Sequence, residues 1–221
     1  MLHQPQLIPN PLVTFTLQDG RSFKAEIFVD KMPLTSANFL DLVHQGFYDG
    51  LHVHRSIADF MLQYGCPYAR SVDPVGVREK SGKYLDQRAG CGGPEDGEFT
   101  VPGNNVVQKR TNGGCIRDEW RISGCARISN EAFTLSMANT GDPDTGGSQF
   151  FINTANNTFL DFWDRTTPSQ HPVFGKIVEG QDLITELSEK ETIEDVPIVP
   201  IQIINVSIDS KEGATSPESK L

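Results

Sequence analysis

Two segments of the chain bring together side chains that could do chemistry. The first, His54 to Gln63, reads His-Arg-Ser-Ile-Ala-Asp-Phe-Met-Leu-Gln and sets the guanidinium of Arg55 near the large apolar pair Phe60-Met61. A guanidinium is a planar donor that holds a direction, which a flexible ammonium cannot do. The second joins residues 135–139 (Leu-Ser-Met-Ala-Asn) to residues 146–152 (Gly-Gly-Ser-Gln-Phe-Phe-Ile). Together they offer a directional cation and amide groups beside apolar side chains.

The elements that position these segments follow from the spacing of apolar residues. Period-two alternation predicts a hairpin from Val13 to Val29 with its turn at Asp19-Gly20. Apolar residues spaced by four predict a helix that starts at Pro33 and stops by Gly46. A second helix is predicted around Leu183 to Leu187. Further extended segments are predicted at residues 51–61, 133–138, 149–152, 173–177 and 202–208.

Many strands and two distant helices, without a strand-helix-strand rhythm, indicate an antiparallel sheet or a closed barrel capped by helices. On the last strand, alternation predicts that Ile204, Val206 and Ile208 share one face. Alternation in the segment from His54 to Gln63 likewise predicts that Arg55, Ile57 and Asp59 share one face of a strand. Residues 67–116 show no persistent period, and we expect them to form surface excursions between core strands.

Composition restricts the class of protein. The 221 residues include 19 Lys+Arg and 29 Asp+Glu, so the net charge is 19 − 29 = −10. An acidic chain lacks the cationic face that non-specific binding to nucleic acid or anionic membrane needs. No apolar run approaches a membrane span of about 20 residues, and residues 1–11 do not resemble a secretory signal. We therefore expect an intracellular, monomeric, single-domain protein that binds neither nucleic acid nor membrane.

The motifs, taken in order, resemble those of the cyclophilins, the peptidyl-prolyl isomerase family. The family pattern has His-Arg leading to Phe-Met-x-Gln, then Leu-Ser-Met-Ala-Asn and Gly-Ser-Gln-Phe-Phe-Ile, and all are present here. Val173-Phe174-Gly175-Lys176 matches a fourth motif, so the resemblance covers about residues 12–208. It implies a mostly β fold: a closed antiparallel eight-stranded barrel capped by two α-helices. The domain would span 12–209, between an extension (1–11) and a disordered tail (210–221), with insertions near 67–89, 104–116 and 162–170.

The resemblance also implies roles for individual residues. Arg55 would be the catalytic donor to the nitrogen of a twisted X–Pro amide, and Gln149 would support that arginine. Gln63 would hold a substrate carbonyl, and His171 would close the rim. The other substrate-binding residues would be an apolar wall and two residues that face the peptide flank: Phe60, Met61, Phe151, Phe159 and Leu160, then Ala138 and Asn139. No cofactor or metal is expected, and the partners would be proline-containing peptides and proteins.

Two positions depart from the family pattern. Phe159 stands where a tryptophan is common, so the indole N–H donor is lost and binding of cyclosporin-type ligands should be weakened. Tyr64 stands where glycine is common, and we expect it to narrow access to the substrate groove.

Alternative interpretations remain open. An isolated arginine in a strand is usually solvated, and Phe60 or Met61 alone would be core residues by default. Tyr64, Phe159 and the insertions favour a proline-peptide binding or chaperone module with weak or no turnover. A redox or metal-binding protein could use the four cysteines, although their spacing matches no zinc signature: Cys66, Cys91, Cys115 and Cys125.

The chain ends in Ser219-Lys220-Leu221, which matches a peroxisomal address read by an import receptor. The preceding residues carry almost no apolar content, and an exposed, flexible presentation is what such a receptor needs. The sequence therefore predicts location in peroxisomes or the related glycosomes, with a cytoplasmic protein as the alternative.

Overall fold

The computed structural model describes residues 9–70, 85–103, 105–122 and 125–210. Several predictions fall outside these ranges: most of the N-terminal extension, residues 71–84 of the first insertion, and the Ser219-Lys220-Leu221 signal. The helices are α1 (Pro33–His44) and α2 (Gln181–Ser188). No helix among the described residues has the length and apolar character that a membrane span requires.

The strands are mostly short, and one large sheet contains those that build the domain. In chain order they are β1 (Leu12–Leu17), β2 (Ser22–Ile27), β3 (Leu51–His52), β4 (Arg55–Ile57), β5 (Met61–Tyr64), β6 (Gly97–Val101), β7 (Val106–Arg110), β8 (Thr134–Met137), β9 (Phe150–Asn153), β10 (Val173–Glu179), β11 (Thr192–Ile193), β12 (Val196–Pro197) and β13 (Gln202–Ile208). The large sheet has nine strands in the order β3-β13-β1-β2-β10-β8-β9-β5-β4.

The sheet is curled but remains open, so the prediction of a closed eight-stranded barrel is wrong in strand number and in closure. Its two edges, β3 and β4, are consecutive in the chain and separated by Val53-His54. The Val53 N–H donates to the Ile201 carbonyl at 2.9 Å, whereas the His54 N–H donates to the Gln63 carbonyl at 3.2 Å. Because the connection itself crosses from one edge to the other, β3 and β4 do not pair.

The predicted first hairpin and first helix are confirmed. β1 and β2 pair with Phe15 opposite Phe23, and Gly20 in the turn has φ +86°, which glycine adopts at no steric cost. Helix α1 begins at Pro33, where the missing N–H is no loss, and ends at His44 just before Gly46. A distant buried carboxylate, that of Glu119, accepts the N–H groups of the first turn of α1.

The main core is an aromatic cluster around Phe150. Its ring lies 5.4 Å from that of Phe39 and 6.0 Å from that of Phe174, both edge-on. Tyr64 lies 5.7 Å from the same ring and is 1% exposed. The expectation that Tyr64 narrows the groove is therefore wrong. Strand alternation turns Tyr64 inward, where its hydroxyl donates to the Tyr48 carbonyl.

Two predicted alternations are interrupted. In β13 the register with β1 skips Ile204, and this bulge buries both Ile203 and Val206 while Ile204 and Ile208 stay exposed. The prediction that Ile204 shares a face with Val206 and Ile208 is wrong, because the bulge resets the period-two alternation at Ile204. Val206 and Ile208 do share a face, since they lie opposite the core residues Phe15 and Val13 of β1. In the extended segment 51–61, Asp59 has φ +55° and turns the chain between β4 and β5. Asp59 therefore does not continue the strand of Arg55.

Within the stretch 67–116, the described residues 85–103 and 105–116 include regular structure that the sequence did not predict. They contain the β6–β7 hairpin, whose Phe99 and Val101 are buried against Leu34 and Ala37 of α1. The buried apolar residues of this hairpin are alternate residues of β6, and they pack against α1, which is far away in the sequence. Packing of this kind depends on tertiary context, so local propensity does not reveal it.

Candidate functional site

Strand register gathers three predicted groove residues on one face of the sheet. Arg55 on β4 lies opposite Gln63 on β5, and Gln63 lies opposite Phe151 on β9. Successive side chains of a strand point to opposite faces, so the intervening Leu62 and Ile152 enter the core. Arg55, Gln63 and Phe151 therefore form a row across three strands on the outer face.

A small apolar cluster, called the pocket below, lies beside this row. Met61, Phe151 and Leu160 are 2%, 5% and 4% exposed and form a cluster separate from the main core. Three partly buried residues pack against this cluster: Ile57, Phe60 and Ala138. The predicted apolar wall is thus brought together from β5, β9 and the 3₁₀ turn Thr158–Leu160. An apolar cluster beside a cation suits contact with an apolar ring next to a hydrogen-bond donor.

Phe159 marks the outer edge of this pocket. The 3₁₀ turn sends Leu160 inward, while the Phe159 side chain stacks on Phe60 with ring centroids 6.0 Å apart. Phe159 is 44% exposed. It therefore extends the wall toward solvent.

His171, predicted to close the rim, packs against Phe151 of this cluster. Its ring meets that of Phe151 edge-on at 5.2 Å, and its Nδ1 lies 2.9 Å from the Met137 carbonyl oxygen. Its backbone N–H donates to the Leu160 carbonyl at 3.0 Å. Burial lowers the pKa of the imidazole, and the bond to Met137 opposes this only partly. The imidazole is therefore held neutral and fixed against the pocket.

Ala138 and Asn139, expected to face the peptide flank, make internal bonds. The Ala138 N–H donates to the Gln149 carbonyl at 3.0 Å. The Asn139 side-chain amide donates to the Gln170 carbonyl at 2.8 Å, and its oxygen accepts the Gly141 N–H. Asn139 thus ties the predicted insertion at 162–170 to the groove, a role that the sequence did not predict.

Gln63 and Gln149 form a network that leads away from Arg55. The Gln63 amide donates to Gln149 Oε1 at 3.0 Å. The Gln149 amide donates in turn to the carbonyls of Gly90 and Gly92, at 2.9 and 2.7 Å. Gln149 therefore anchors the glycine turn, and the expectation that it supports the arginine is not what the structure shows.

The carboxylate beside Arg55 is that of Asp195, which sequence reasoning missed. Arg55 Nε donates to Asp195 Oδ2 at 3.3 Å, and the two side chains are 45% and 47% exposed. Asp195 lies in the turn between β11 and β12. The dipeptide Glu194-Asp195 is turn-compatible, but nothing local to it indicates a partner 140 residues away.

His54, next to Arg55, titrates far from its ordinary range. Its ring is 5% exposed, and burial lowers its pKa to about 4, a shift that the Arg55 charge reinforces. Burial also lowers the pKa of His52 and His171. These three imidazoles therefore resist protonation in the folded protein.

We expect the free energy of unfolding to fall as the solution is acidified from pH 7 to pH 4.5. The unfolded chain takes up a proton at His54 near pH 6.5, whereas the folded chain does so only near pH 4. The stabilisation is thus complete above pH 6.5 and is lost toward pH 4, which amounts to about 2–3 kcal/mol for this residue. Urea denaturation at several pH values measures the slope. In His54→Leu the loss on acidification should shrink by that amount, and an unchanged slope would contradict the assignment.

The cysteines do not form a shared site. All four are free, and Cys66 Sγ, which is buried, accepts the N–H groups of Gly90 and Gly92 at 3.1 and 3.4 Å. Within the described ranges, no three His, Cys, Asp or Glu side chains are grouped as metal ligands would be. Cys66 thus has a structural part in holding the glycine turn that Gln149 also anchors.

Comparison with known proteins gives a consistent family. The model of the "Cyclophilin type peptidyl-prolyl cis-trans isomerase/CLD" family matches residues 12–208. A peptidyl-prolyl cis-trans isomerase of Acinetobacter baylyi is 29% identical over 215 residues, 95% of this chain and 92% of its own. The Bacillus subtilis isomerase B is 30% identical over 83% of this chain and 95% of its own. Isomerase-like 3 of Rhizopus delemar is 32% identical over 86% of this chain and 90% of its own.

Solved structures share the fold. A cyclophilin-type isomerase of Cryptosporidium parvum superposes with a TM-score of 0.65 and 24% identity, covering 91% of this chain and 98% of that one. The same protein in the presence of the dipeptide Ala-Pro gives a TM-score of 0.64 at 24% identity, over 90% of this chain and 99% of that one.

Proposed function

The chain belongs to the cyclophilin family of peptidyl-prolyl cis-trans isomerases, and we propose that the row of Arg55, Gln63 and Phe151 is its catalytic groove. Its reaction is the cis–trans isomerisation of X–Pro bonds. The observation that carries the proposal is the strand register, which sets a half-exposed guanidinium beside a separate buried apolar cluster.

The chemistry of the reaction decides what the groove must do. Resonance gives the C–N bond partial double-bond character and a rotation barrier of about 18–20 kcal/mol. At mid-rotation the amide is twisted, the nitrogen becomes pyramidal and its lone pair is localised. An enzyme accelerates the reaction by binding this state more tightly than either planar isomer. No covalent bond is made or broken.

The apolar pocket would hold the proline ring. Met61, Phe151 and Leu160 form its floor, and the fixed His171 ring closes one side. A pyrrolidine ring fits such a site because it is apolar and carries no N–H donor of its own. With the ring held, rotation moves the acyl side of the bond while the proline side stays in place. The Ala-Pro dipeptide present with the Cryptosporidium relative supports proline-containing peptides as the ligand class.

Arg55 would supply the electrostatic stabilisation. Its guanidinium lies two strands away from Phe151, across β5, and its N–H groups would donate to the proline nitrogen where the lone pair develops. Gln63, between them, would donate to or orient a substrate carbonyl. The apolar pocket lowers the local dielectric constant and strengthens both hydrogen bonds. Proteins and peptides with accessible X–Pro bonds are the substrates that this arrangement fits.

An isomerase assay on the purified chain tests the proposal. Uncatalysed exchange of an Ala-Pro peptide takes tens to hundreds of seconds, and we expect micromolar enzyme to shorten it at least tenfold at 10 °C. Equilibrium binding of the same peptide should be measured in parallel. Peptide binding without acceleration would identify a binding module and contradict the proposal.

We propose that Phe159 weakens binding of cyclosporin-type ligands because it lacks an indole N–H. Phe159→Trp should raise their affinity about 2- to 10-fold, the value of one net hydrogen bond. The position is 44% exposed, so the larger ring meets little steric resistance. Titration calorimetry compares Phe159→Trp with Phe159→Leu, which lacks both donor and ring. Equal affinities for the wild type and Phe159→Trp would contradict the assignment.

A further inference from the structure

We propose that Asp195 is a positioning residue for Arg55, an inference that rests on the proposed function of the groove. Asp195 belongs to the hairpin Thr192–Pro197, which is far from the groove motifs in the sequence. In the fold this hairpin lies against β4, the edge strand that carries Arg55. The proposal concerns what this contact does for the arginine.

The backbone fixes where Asp195 stands. Glu194 and Asp195 have φ of +49° and +66°, so both central residues of the turn are left-handed, as a tight hairpin turn requires. The Asp195 carbonyl accepts the Ser56 N–H at 2.7 Å. This bond occupies an outward-facing N–H of edge strand β4. Because Ser56 follows Arg55 directly, the bond also holds the Asp195 side chain within reach of the guanidinium.

The Asp195 carboxylate binds the Nε–H of Arg55, where the guanidinium joins the rest of the side chain. Oδ2 accepts from Nε at 3.3 Å. A guanidinium has five N–H donors, and the four on its terminal nitrogens extend beyond Nε. A hydrogen bond at Nε therefore fixes the plane of the guanidinium and the direction of its four terminal N–H groups. It uses none of those four groups, so they remain available to a substrate.

The neighbouring glutamines do not supply this restraint. Gln63 lies opposite Arg55, but its amide donates to Gln149, and Gln149 donates to the glycine turn. The side-chain partner that the structure gives Arg55 is Asp195. An arginine with several rotatable bonds is thus held from the hairpin side.

The expected effect is on the rate of rotation rather than on binding. Correct placement of the Arg55 donor matters most when the amide is twisted, which is the transition state. Loss of the Asp195 contact should therefore lower kcat and leave KM unchanged. The ion pair is about half exposed, and pairs of this kind are worth a few-fold at most and are screened by salt. We therefore expect a moderate, salt-dependent contribution.

The experiment compares Asp195→Ala and Asp195→Asn with Asp59→Asn, a matched control. Asp59→Asn makes the same change in net charge, from −10 to −9, at another exposed turn next to β4. At low salt, Asp195→Ala should lower kcat about three- to fivefold with KM unchanged. Asp195→Asn, which keeps an acceptor, should lie between it and the wild type. Asp59→Asn should leave kcat unchanged.

Two further measurements separate positioning from a structural effect. In 1 M salt the ratio of kcat between the wild type and Asp195→Asn should approach one, because the Debye length is then about 3 Å. In an Arg55→Lys background, Asp195→Ala should have no further effect. Three results would each overturn the inference. The first is an unchanged kcat in Asp195→Ala, and the second is a loss of kcat that does not depend on salt. The third is the same loss of kcat when Asp195→Ala is made in the Arg55→Lys background. If Arg55→Ala itself kept full activity, the proposed function would fail instead.

Discussion

Replacing Arg55 with alanine should lower kcat/KM for an Ala-Pro peptide about 100- to 1000-fold, the loss typical when one preorganised transition-state donor is removed. The reason is that the guanidinium is the cationic donor in the row beside the apolar cluster that we propose holds the proline ring. Peptide binding should persist, because Met61, Phe151 and Leu160 still form the pocket. A protease-coupled isomerase assay with parallel binding measurements gives both quantities.

Arg55→Lys is the matched variant, since it keeps the charge and loses the planar fork. We expect its activity to fall between those of the wild type and Arg55→Ala, because an ammonium cannot hold the same direction. The Arg55 side chain is 45% exposed, so both variants should unfold within about 0.5 kcal/mol of the wild type. Isomerase activity of Arg55→Ala equal to that of the wild type would reject the role assigned to this residue.

The largest loss of stability should come from Phe150→Ala, at about 3–5 kcal/mol in the free energy of unfolding. Phe150 is 1% exposed and packs edge-on against Phe39 and Phe174. Truncation leaves a cavity where these rings meet, which the surrounding strands cannot fill. Urea denaturation monitored by circular dichroism measures the change. The milder Phe150→Leu should cost about 1.5 kcal/mol and stays measurable if the alanine variant does not fold.

Phe159→Ala removes the same side chain from an exposed position and serves as the control. Phe159 is 44% exposed and stacks on Phe60 alone among the ring contacts described. We expect a loss of about 1 kcal/mol or less. A larger loss for Phe159→Ala than for Phe150→Ala would mean that the core does not centre on Phe150.

Short-range patterns predicted much of the fold correctly. Alternation and the Asp19-Gly20 turn predicted the first hairpin, and Pro33 and Gly46 marked the limits of α1. The errors arose where the chain interrupts a period. A bulge at Ile204 and a left-handed Asp59 each change which residues share a face, and neither interruption has a clear local signature. Closure of the sheet was also misjudged, because it depends on how the two edges meet.

The proposed groove shows the same division. The motifs predicted that Phe60, Met61, Phe151 and Leu160 lie together, and in the structure they form one apolar cluster. The polar connections were not predictable. Gln149 was expected beside the arginine and instead holds the glycine turn at Gly90 and Gly92. Hydrogen bonds between side chains depend on distances of a few tenths of an ångström, which spacing along a chain does not determine.

The sequence by itself determined the family, the two helices, most strands of the large sheet, and the apolar side chains that cluster beside Arg55, because periodicity and ordered motifs are local properties of the chain. Only the tertiary structure decided that the sheet stays open, that Tyr64 enters the core, and that Asp195 meets Arg55. Those outcomes depend on the curl of a nine-stranded sheet, which brings together residues that are 140 positions apart. Contacts at such separations follow from the packing of the whole domain, and no short segment encodes them.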